Sequence, residues 1–154
     1  MKRIVMVCSG NICRSPMAEV LLKAALAEHG VDCIEVHSAG TCALTDLPAV
    51  DQSVYVCQEE GLDLSKHRSK PLALDVVRRA DMVLVMEKRH LAEIVEALPE
   101  AEGKVRLLGS FAKGRGADDA EIKDPFGSSY GAFRQCFDEI KEAVAGLAEY
   151  LQTN

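Results

Sequence analysis

The sequence predicts an α/β protein, a three-layer α/β/α arrangement around a four-stranded parallel sheet. Short apolar runs of strand-forming residues alternate with longer stretches whose apolar residues recur three and four apart. That alternation implies crossover connections, and so a parallel sheet covered on both faces. Right-handed crossovers put every strand's C-terminal end on one edge, where such sheets bind ligands. The first strand leaves that edge as VCSGNICRSP, residues 7–16.

Each element has a local reason. Residues 3–7 (RIVMV) are a run of strand formers. From Pro16 to His29, Met17, Val20, Leu21, Ala24, Ala25 and Leu26 make one apolar stripe, and Gly30 closes the helix. Cys33 to His37 reads as a second strand, 48–60 as a helix ending at Gly61, and Leu72 to Arg79 as a short helix. Met82 to Met86 (MVLVM) is a third strand, and Lys88 to Leu98 a helix stopped before Pro99. Val105 to Leu108 is a fourth strand, and Gly109 to Phe126 a long loop rich in glycine and charge. From Ser129 to Leu151, Phe133, Phe137, Ile140, Val144, Leu147 and Leu151 mark one closing helix.

The 154 residues, 48% hydrophobic and 27% charged, fit a single domain spanning 1–154 with a real core. No apolar run approaches a membrane span. The apolar start after Met1-Lys2-Arg3 is too short for a signal sequence, which predicts a cytoplasmic protein. There the six cysteines are expected as free thiols. A net charge of −6 argues against a nucleic-acid coat.

The chemistry concentrates in residues 8–15. Pro16 suits a first helical turn, so the loop before it should turn its N–H groups toward the helix N-terminus and bind an anion, phosphate above all. Gly10 and Asn11 suit the backbone such a loop needs. Cys8 at the loop's start would lie among N–H donors that favour its thiolate, with Ser15 as a further donor. Arg14 offers a planar fork for two phosphate oxygens. A sulfur nucleophile beneath a clamped tetrahedral anion is a device for phosphoryl transfer, with N–H groups and guanidinium carrying the charge. Such a reaction needs a proton donor for the leaving oxygen, and Asp124-Pro125-Phe126 supplies the best candidate. Asp118, Asp119 and Glu121 are rivals that no proline fixes.

With these residues in view, the chain resembles the low-molecular-weight protein tyrosine phosphatases. Cys8-Ser9-Gly10-Asn11-Ile12-Cys13-Arg14-Ser15 matches their Cys-x5-Arg-Ser signature. Ser38-Ala39-Gly40-Thr41, Ser65 to Ser69, Ala80-Asp81 to Met86 and Asp124-Pro125 continue the match along the chain. The resemblance implies Cys8 as nucleophile, Arg14 as phosphate clamp and Asp124 as general acid, then base. It implies that Ser9, Gly10, Asn11, Ile12, Cys13 and Ser15 bind the phosphate, and that Ser9, Ile12, Leu44 and Phe126 line the substrate slot. Asn11, Ser15, Ser38 and His67 would hold the loop, and Cys13 would form a reversible disulfide with Cys8 under oxidation. The implied partner is a phosphotyrosine-bearing protein, with a tyrosine kinase as its counterpart; the expected state is a monomer or weak homodimer. No cofactor and no metal are expected.

Two features bear on substrate. Phe126 is followed by Gly127 where many members carry a second aromatic, and Asp-Pro-Phe-Gly also looks like protein arginine phosphatases of the same fold. Those relatives carry threonine where this chain has Ile12. A hydroxyl there can hydrogen-bond a guanidinium, whereas isoleucine packs against an apolar ring, so phosphotyrosine is the expected substrate. An arsenate reductase of this fold would need two relay cysteines, and residues 58–135 hold none. A zinc module would need a second ligand pair beside Cys8 and Cys13. A catalytically dead anion-binding module would be expected to have lost Cys8 or Asp124. Cys33, Cys42, Cys57 and Cys136 read as inert, and His29, His37 and His90 as incidental.

Overall fold

A computed structural model describes residues 1–116 and 120–153. Four strands, β1 (Lys2–Cys8), β2 (Ile34–Gly40), β3 (Met82–Val85) and β4 (Val105–Leu107), form one parallel sheet in the order β2-β1-β3-β4. Among the described residues five α-helices accompany them: α1 (Arg14–Glu28), α2 (Asp51–Glu59), α3 (Leu74–Arg79), α4 (Lys88–Ala97) and α5 (Tyr130–Thr153). The chain moves from β1 outward to β2, then crosses back to β3 on β1's other side. That reversal opens a crevice at the strands' C-terminal ends.

β1 alternates between two cores. Ile4, Met6 and Cys8 pack with Met17, Leu22, Phe133, Phe137 and Ile140 on the face covered by α1, α2 and α5. Val5 and Val7 pack with Val77, Ile94, Leu98 and Ala101 on the opposite face. This two-sided burial explains why the run reads as continuously apolar rather than alternating. Each such Leu, Ile or Phe contributes roughly 1.5–3 kcal/mol when buried. α1 and α2 both end as the sequence predicts. The N–H groups of Gly30 and Val31 return to Ala27 and Leu26, and those of Gly61 and Leu62 return to Gln58 and Cys57.

Several boundaries differ from expectation: α2 starts at Asp51 rather than 48, α3 at Leu74 rather than Leu72, and β3 ends at Val85 rather than Met86. β2 runs on to Gly40, because Ser38, Ala39 and Gly40 pair with Met6, Val7 and Cys8. Cross-strand pairing there outweighs the weak strand propensity of serine and glycine. α1 begins at Arg14, which makes Pro16 its third residue; that is still in the first turn, where a missing N–H costs nothing. Two 3₁₀ turns, Pro99–Lys104 and Leu108–Phe111, occupy segments that periodicity alone left unassigned or read as strand end and loop. Asp118 and Asp119 lie outside the described residues.

α5 passes the second 3₁₀ turn so closely that a Cβ on Gly146 would stand 1.9 Å from the Phe111 carbonyl oxygen. In an open helix, alanine would be preferred to glycine by about 1 kcal/mol. Here the clash wins: Gly146→Ala is expected to lower stability by about 1–3 kcal/mol in urea denaturation, the usual cost of overpacking. An unchanged or raised midpoint would show that α5 can move away at no cost.

Candidate active site

Residues 9–13 cross the crevice, and neighbouring segments hold most of the carbonyls of this turn. The Cys8 and Ser9 carbonyls accept the N–H groups of Thr41 and Cys42 at 3.0 Å each, and that of Ile12 accepts the N–H of Val50 at 2.9 Å. The Asn11 carbonyl accepts from His67 Nε2 at 2.6 Å. The backbone N–H groups of Ser9 to Cys13 have no acceptor among the described residues. Carbonyls turned out and N–H groups left free make an anion cradle at the start of α1. Gly40 is needed beside it. A Cβ there would meet the Ser9 carbonyl oxygen at 2.5 Å and the Asn11 nitrogen at 3.0 Å.

Asn11 holds the bend. It is buried with φ 55°, a left-handed conformation that asparagine tolerates better than most residues. Its Nδ2 donates to Ser15 Oγ at 2.8 Å and Ser38 Oγ at 3.0 Å, and its Oδ1 accepts the Lys70 N–H at 3.0 Å. The Ser38 hydroxyl donates in turn to Glu19 Oε1. Burial works against the Glu19 charge, but hydrogen bonds from Lys23 and Ser38 outweigh it and hold the carboxyl below its ordinary value. Ser15 Oγ, already accepting from Asn11, lies 3.0 Å from Cys8 Sγ, and the Ser15 N–H points at the same sulfur at 3.5 Å. The Ser15 N–H thus donates to sulfur, and the Ser15 hydroxyl, which also lies 3.4 Å from the Ala39 carbonyl, is the donor to an ionised Cys8.

Burial pushes the His67 imidazole below its ordinary value, against the opposing effect of its bond to Asn11. Because a carbonyl can only accept, His67 Nε2 is the protonated nitrogen. Cys13 lies in the same wall as Cys8. Burial, then the charges of Asp124 and Cys8, push its thiol up to about 12.

Arg14 is 1% exposed and is satisfied on one side only. Nη1 donates to Glu87 Oε2 and to the Ile122 carbonyl, each at 2.7 Å. Nη2 stands 3.6 Å from Asp124 Oδ2, and the buried Nε has no partner. The Nε–Nη2 edge is the fork that grips two oxygens of an oxyanion, and it is the edge left open. Burial works to raise the Glu87 carboxyl, but the Arg14 hydrogen bond and charge, with those of Arg89, hold it below its ordinary value.

A cavity of about 230 Å³ lies between these groups, lined by Cys8, Ser9, Gly10, Ile12, Cys13, Arg14, Cys42, Asp124 and Phe126. Asp124 is on its rim, with Oδ1 accepting the Phe126 N–H at 3.0 Å. Asn11, Ser15, Ser38 and His67 brace the loop from behind. Leu44 is not in the wall. Its carbonyl is tied to Ser69 and the residue is 69% exposed, whereas the Cys42 N–H bond to Ser9 draws Cys42 into that position. Cys42 is thus no bystander, and neither is His90, which is buried and reaches Ser9 Oγ at 2.9 Å. Glu87, Glu19 and Arg89 went unread as well. For Glu87 a signal existed: it is the first charged residue after a buried strand, at the edge where ligands bind. Among the described residues no group of three or more His, Cys, Asp or Glu side chains is placed to hold a metal ion.

A cysteine beneath an N–H cradle, an arginine with an open fork and a rim carboxylate define a site for cysteine-based phosphoryl transfer. The sequence profile of the family described as low molecular weight phosphotyrosine protein phosphatase matches residues 3–154, and the chain belongs to that family. It is 38% identical over 151 residues to a protein-arginine-phosphatase of Geobacillus stearothermophilus, covering 98% of this chain and 97% of that one. It is 34% identical over 148 residues to the low molecular weight protein-tyrosine-phosphatase Etp of Escherichia coli K12, covering 96% and 93%. Among solved structures, a YwlE mutant from Bacillus subtilis superposes with a TM-score of 0.90 at 33% identity, over 99% of both chains. The tyrosine phosphatase Wzb of E. coli K30, in complex with sulphate, gives 0.87 at 35%, over 97% and 98%.

Two outcomes are expected. Glu87→Ala frees the Arg14 fork to swing, and steady-state kinetics should show kcat/KM reduced by about 10²-fold, the cost of misplacing a group by an ångström. The second concerns acid. Burial and the nearby arginines lower His90 from 6.5 to about 4, so between those values the unfolded chain binds a proton that the folded chain refuses. Stability is therefore full above 6.5 and falls as pH drops toward 4. Thermal melts of His90→Gln should lose part of that slope; a slope equal to wild type would mean His90 does not titrate this way.

Proposed function

We propose that the protein hydrolyses phosphotyrosine on protein substrates in two steps through a phosphocysteine. Cys8 Sγ attacks phosphorus in line as the phosphorus–oxygen bond to the tyrosine breaks, and Asp124 gives its proton to the leaving phenolate oxygen. Asp124 then takes a proton from water. The water oxygen attacks phosphorus, the sulfur–phosphorus bond breaks, and inorganic phosphate leaves. The cradle N–H groups and the Arg14 fork bind the equatorial oxygens throughout, where charge stabilisation counts most. The observation that carries this reading is the unpartnered, buried Arg14 Nε beside Cys8 and Asp124 in one cavity. In this reading the partner is a phosphotyrosyl protein opposed by a tyrosine kinase. The enzyme works in the cytoplasm as a monomer or weak dimer, and the six free thiols suit that setting. Cys13 is the resolving thiol for an oxidised Cys8.

A second reading, phosphoarginine hydrolysis, is favoured by the 38% identity to an arginine phosphatase and the TM-score of 0.90 to YwlE. Against it stand two features of the cavity. Ile12 lines it with an apolar side chain that cannot bond a guanidinium. Arg89 stands 2.7 Å from the wall residue Ser9 and sets a positive charge near the place of a second guanidinium.

The test is phosphate release from matched phosphotyrosine and phosphoarginine peptides. Phosphotyrosine is expected to be preferred, with turnover lost in Cys8→Ser and reduced about 10²–10⁴-fold in Asp124→Asn, the range for a general acid. Ile12→Thr should shift the preference toward phosphoarginine. A wild-type preference for phosphoarginine would sink the tyrosine assignment and keep the mechanism. Full activity of Asp124→Asn on phosphotyrosine would sink the acid role.

A further inference from the structure

Two side chains of α4 converge on one atom of the loop. His90 Nε2 lies 2.9 Å and Arg89 Nη2 2.7 Å from Ser9 Oγ. The other ring nitrogen of His90, Nδ1, accepts the Glu87 N–H at 3.1 Å. An accepting Nδ1 carries no proton, so the neutral ring holds its proton on Nε2 and donates it to Ser9. Arg89 has donors alone. The Ser9 oxygen therefore accepts two hydrogen bonds, and a hydroxyl has two lone pairs and one proton. With both acceptor positions filled, the proton is what remains, and it has no acceptor among the described residues. Ser9 is half-buried and lines the cavity that holds Cys8 and Arg14. The same tautomer excludes a serine–histidine nucleophile, since a protonated Nε2 cannot take the Ser9 proton.

We propose that the Ser9 side chain is a phosphate-binding donor. Its hydroxyl proton is directed into the cavity and bonds an oxygen of the bound phosphoryl group, with Arg89 and His90 as the positioning residues that fill its acceptor sites. The inference rests on residues 8–14 being the phosphate cradle. It adds a side-chain donor to a cradle otherwise made of backbone N–H groups and one guanidinium. Arg89 also bonds Glu87 Oε2 at 3.1 Å, so the group that orients Ser9 shares its anchor with Arg14. Ser9 and the Arg14 fork are therefore set by one carboxylate.

The experiment uses the full chain and inorganic phosphate as probe, with binding read by calorimetry and by competitive inhibition of aryl phosphate hydrolysis. Ser9→Ala, which keeps the loop's backbone bonds, should weaken phosphate about 10- to 150-fold, the worth of one hydrogen bond to a charged group. Ser9→Thr keeps the hydroxyl and should bind close to wild type. Arg89→Ala, which frees one lone pair of Ser9 and lets the hydroxyl turn, should fall between them. Equal binding by wild type and Ser9→Ala would overturn the proposal while leaving the cradle intact. An equal loss in Ser9→Ala and Ser9→Thr would overturn it too, because the effect would then be one of packing. Failure of the wild type itself to bind phosphate would overturn the cradle reading and this one together.

Discussion

One buried side chain sets the geometry on which the rest of the site depends. Asn11 takes a left-handed backbone at φ 55° and spends its amide on Ser15, Ser38 and Lys70, while its carbonyl is taken by His67. A left-handed non-glycine residue stores strain of about 1–3 kcal/mol, and it persists only where its surroundings over-determine it. Four hydrogen bonds to three segments do so here. The reward is the reversal that turns carbonyls outward and N–H groups inward. Without it the loop after β1 would be an ordinary strand–helix turn with no anion site.

The same economy governs Arg14. Burying an unpaired charge costs several kcal/mol, so a guanidinium at 1% exposure needs a partner. Glu87 and the Ile122 carbonyl take one amino group and leave Nε without a bond. The protein thus compensates enough of the charge to fold and leaves enough unsatisfied to bind. Glu87 serves twice. It begins α4 as its cap, with its N–H on His90 Nδ1, and it holds Arg14 in place. The end of β3 and the start of α1 are thereby joined through one carboxylate, across the crevice where the strand order reverses.

Motif and network differ in how readily a sequence shows them. Cys8 to Ser15 was legible because its chemistry is contiguous: nucleophile, bend residues and clamp lie within eight positions, bounded by a strand and a helix that periodicity reveals. Asp124 was legible because a proline follows it. Glu87 and His90 were not, since they meet Arg14 and Ser9 across 73 and 81 residues. Their own surroundings look like the solvated start of a helix. Leu44 and Cys42 show the converse error. Two residues before Leu44, Cys42 is the one whose N–H reaches the Ser9 carbonyl and which lines the cavity, and no composition rule reports that.

The sequence by itself determined the α/β class, the parallel sheet, the helix ends at Gly30 and Gly61, and the loop that carries the chemistry. Those features follow from interactions between near neighbours: burial at period two or 3.6, caps, and turn residues. Tertiary structure alone decided the extension of β2 to Gly40, the α5 crossing at Gly146, and the brace of Glu87, Arg89 and His90 behind the site. These depend on which strands become neighbours, and so on distances between segments that share no local pattern. The order β2-β1-β3-β4 brings the ends of β1 and β3 together, and only then do a buried arginine and a distant glutamate have a reason to meet.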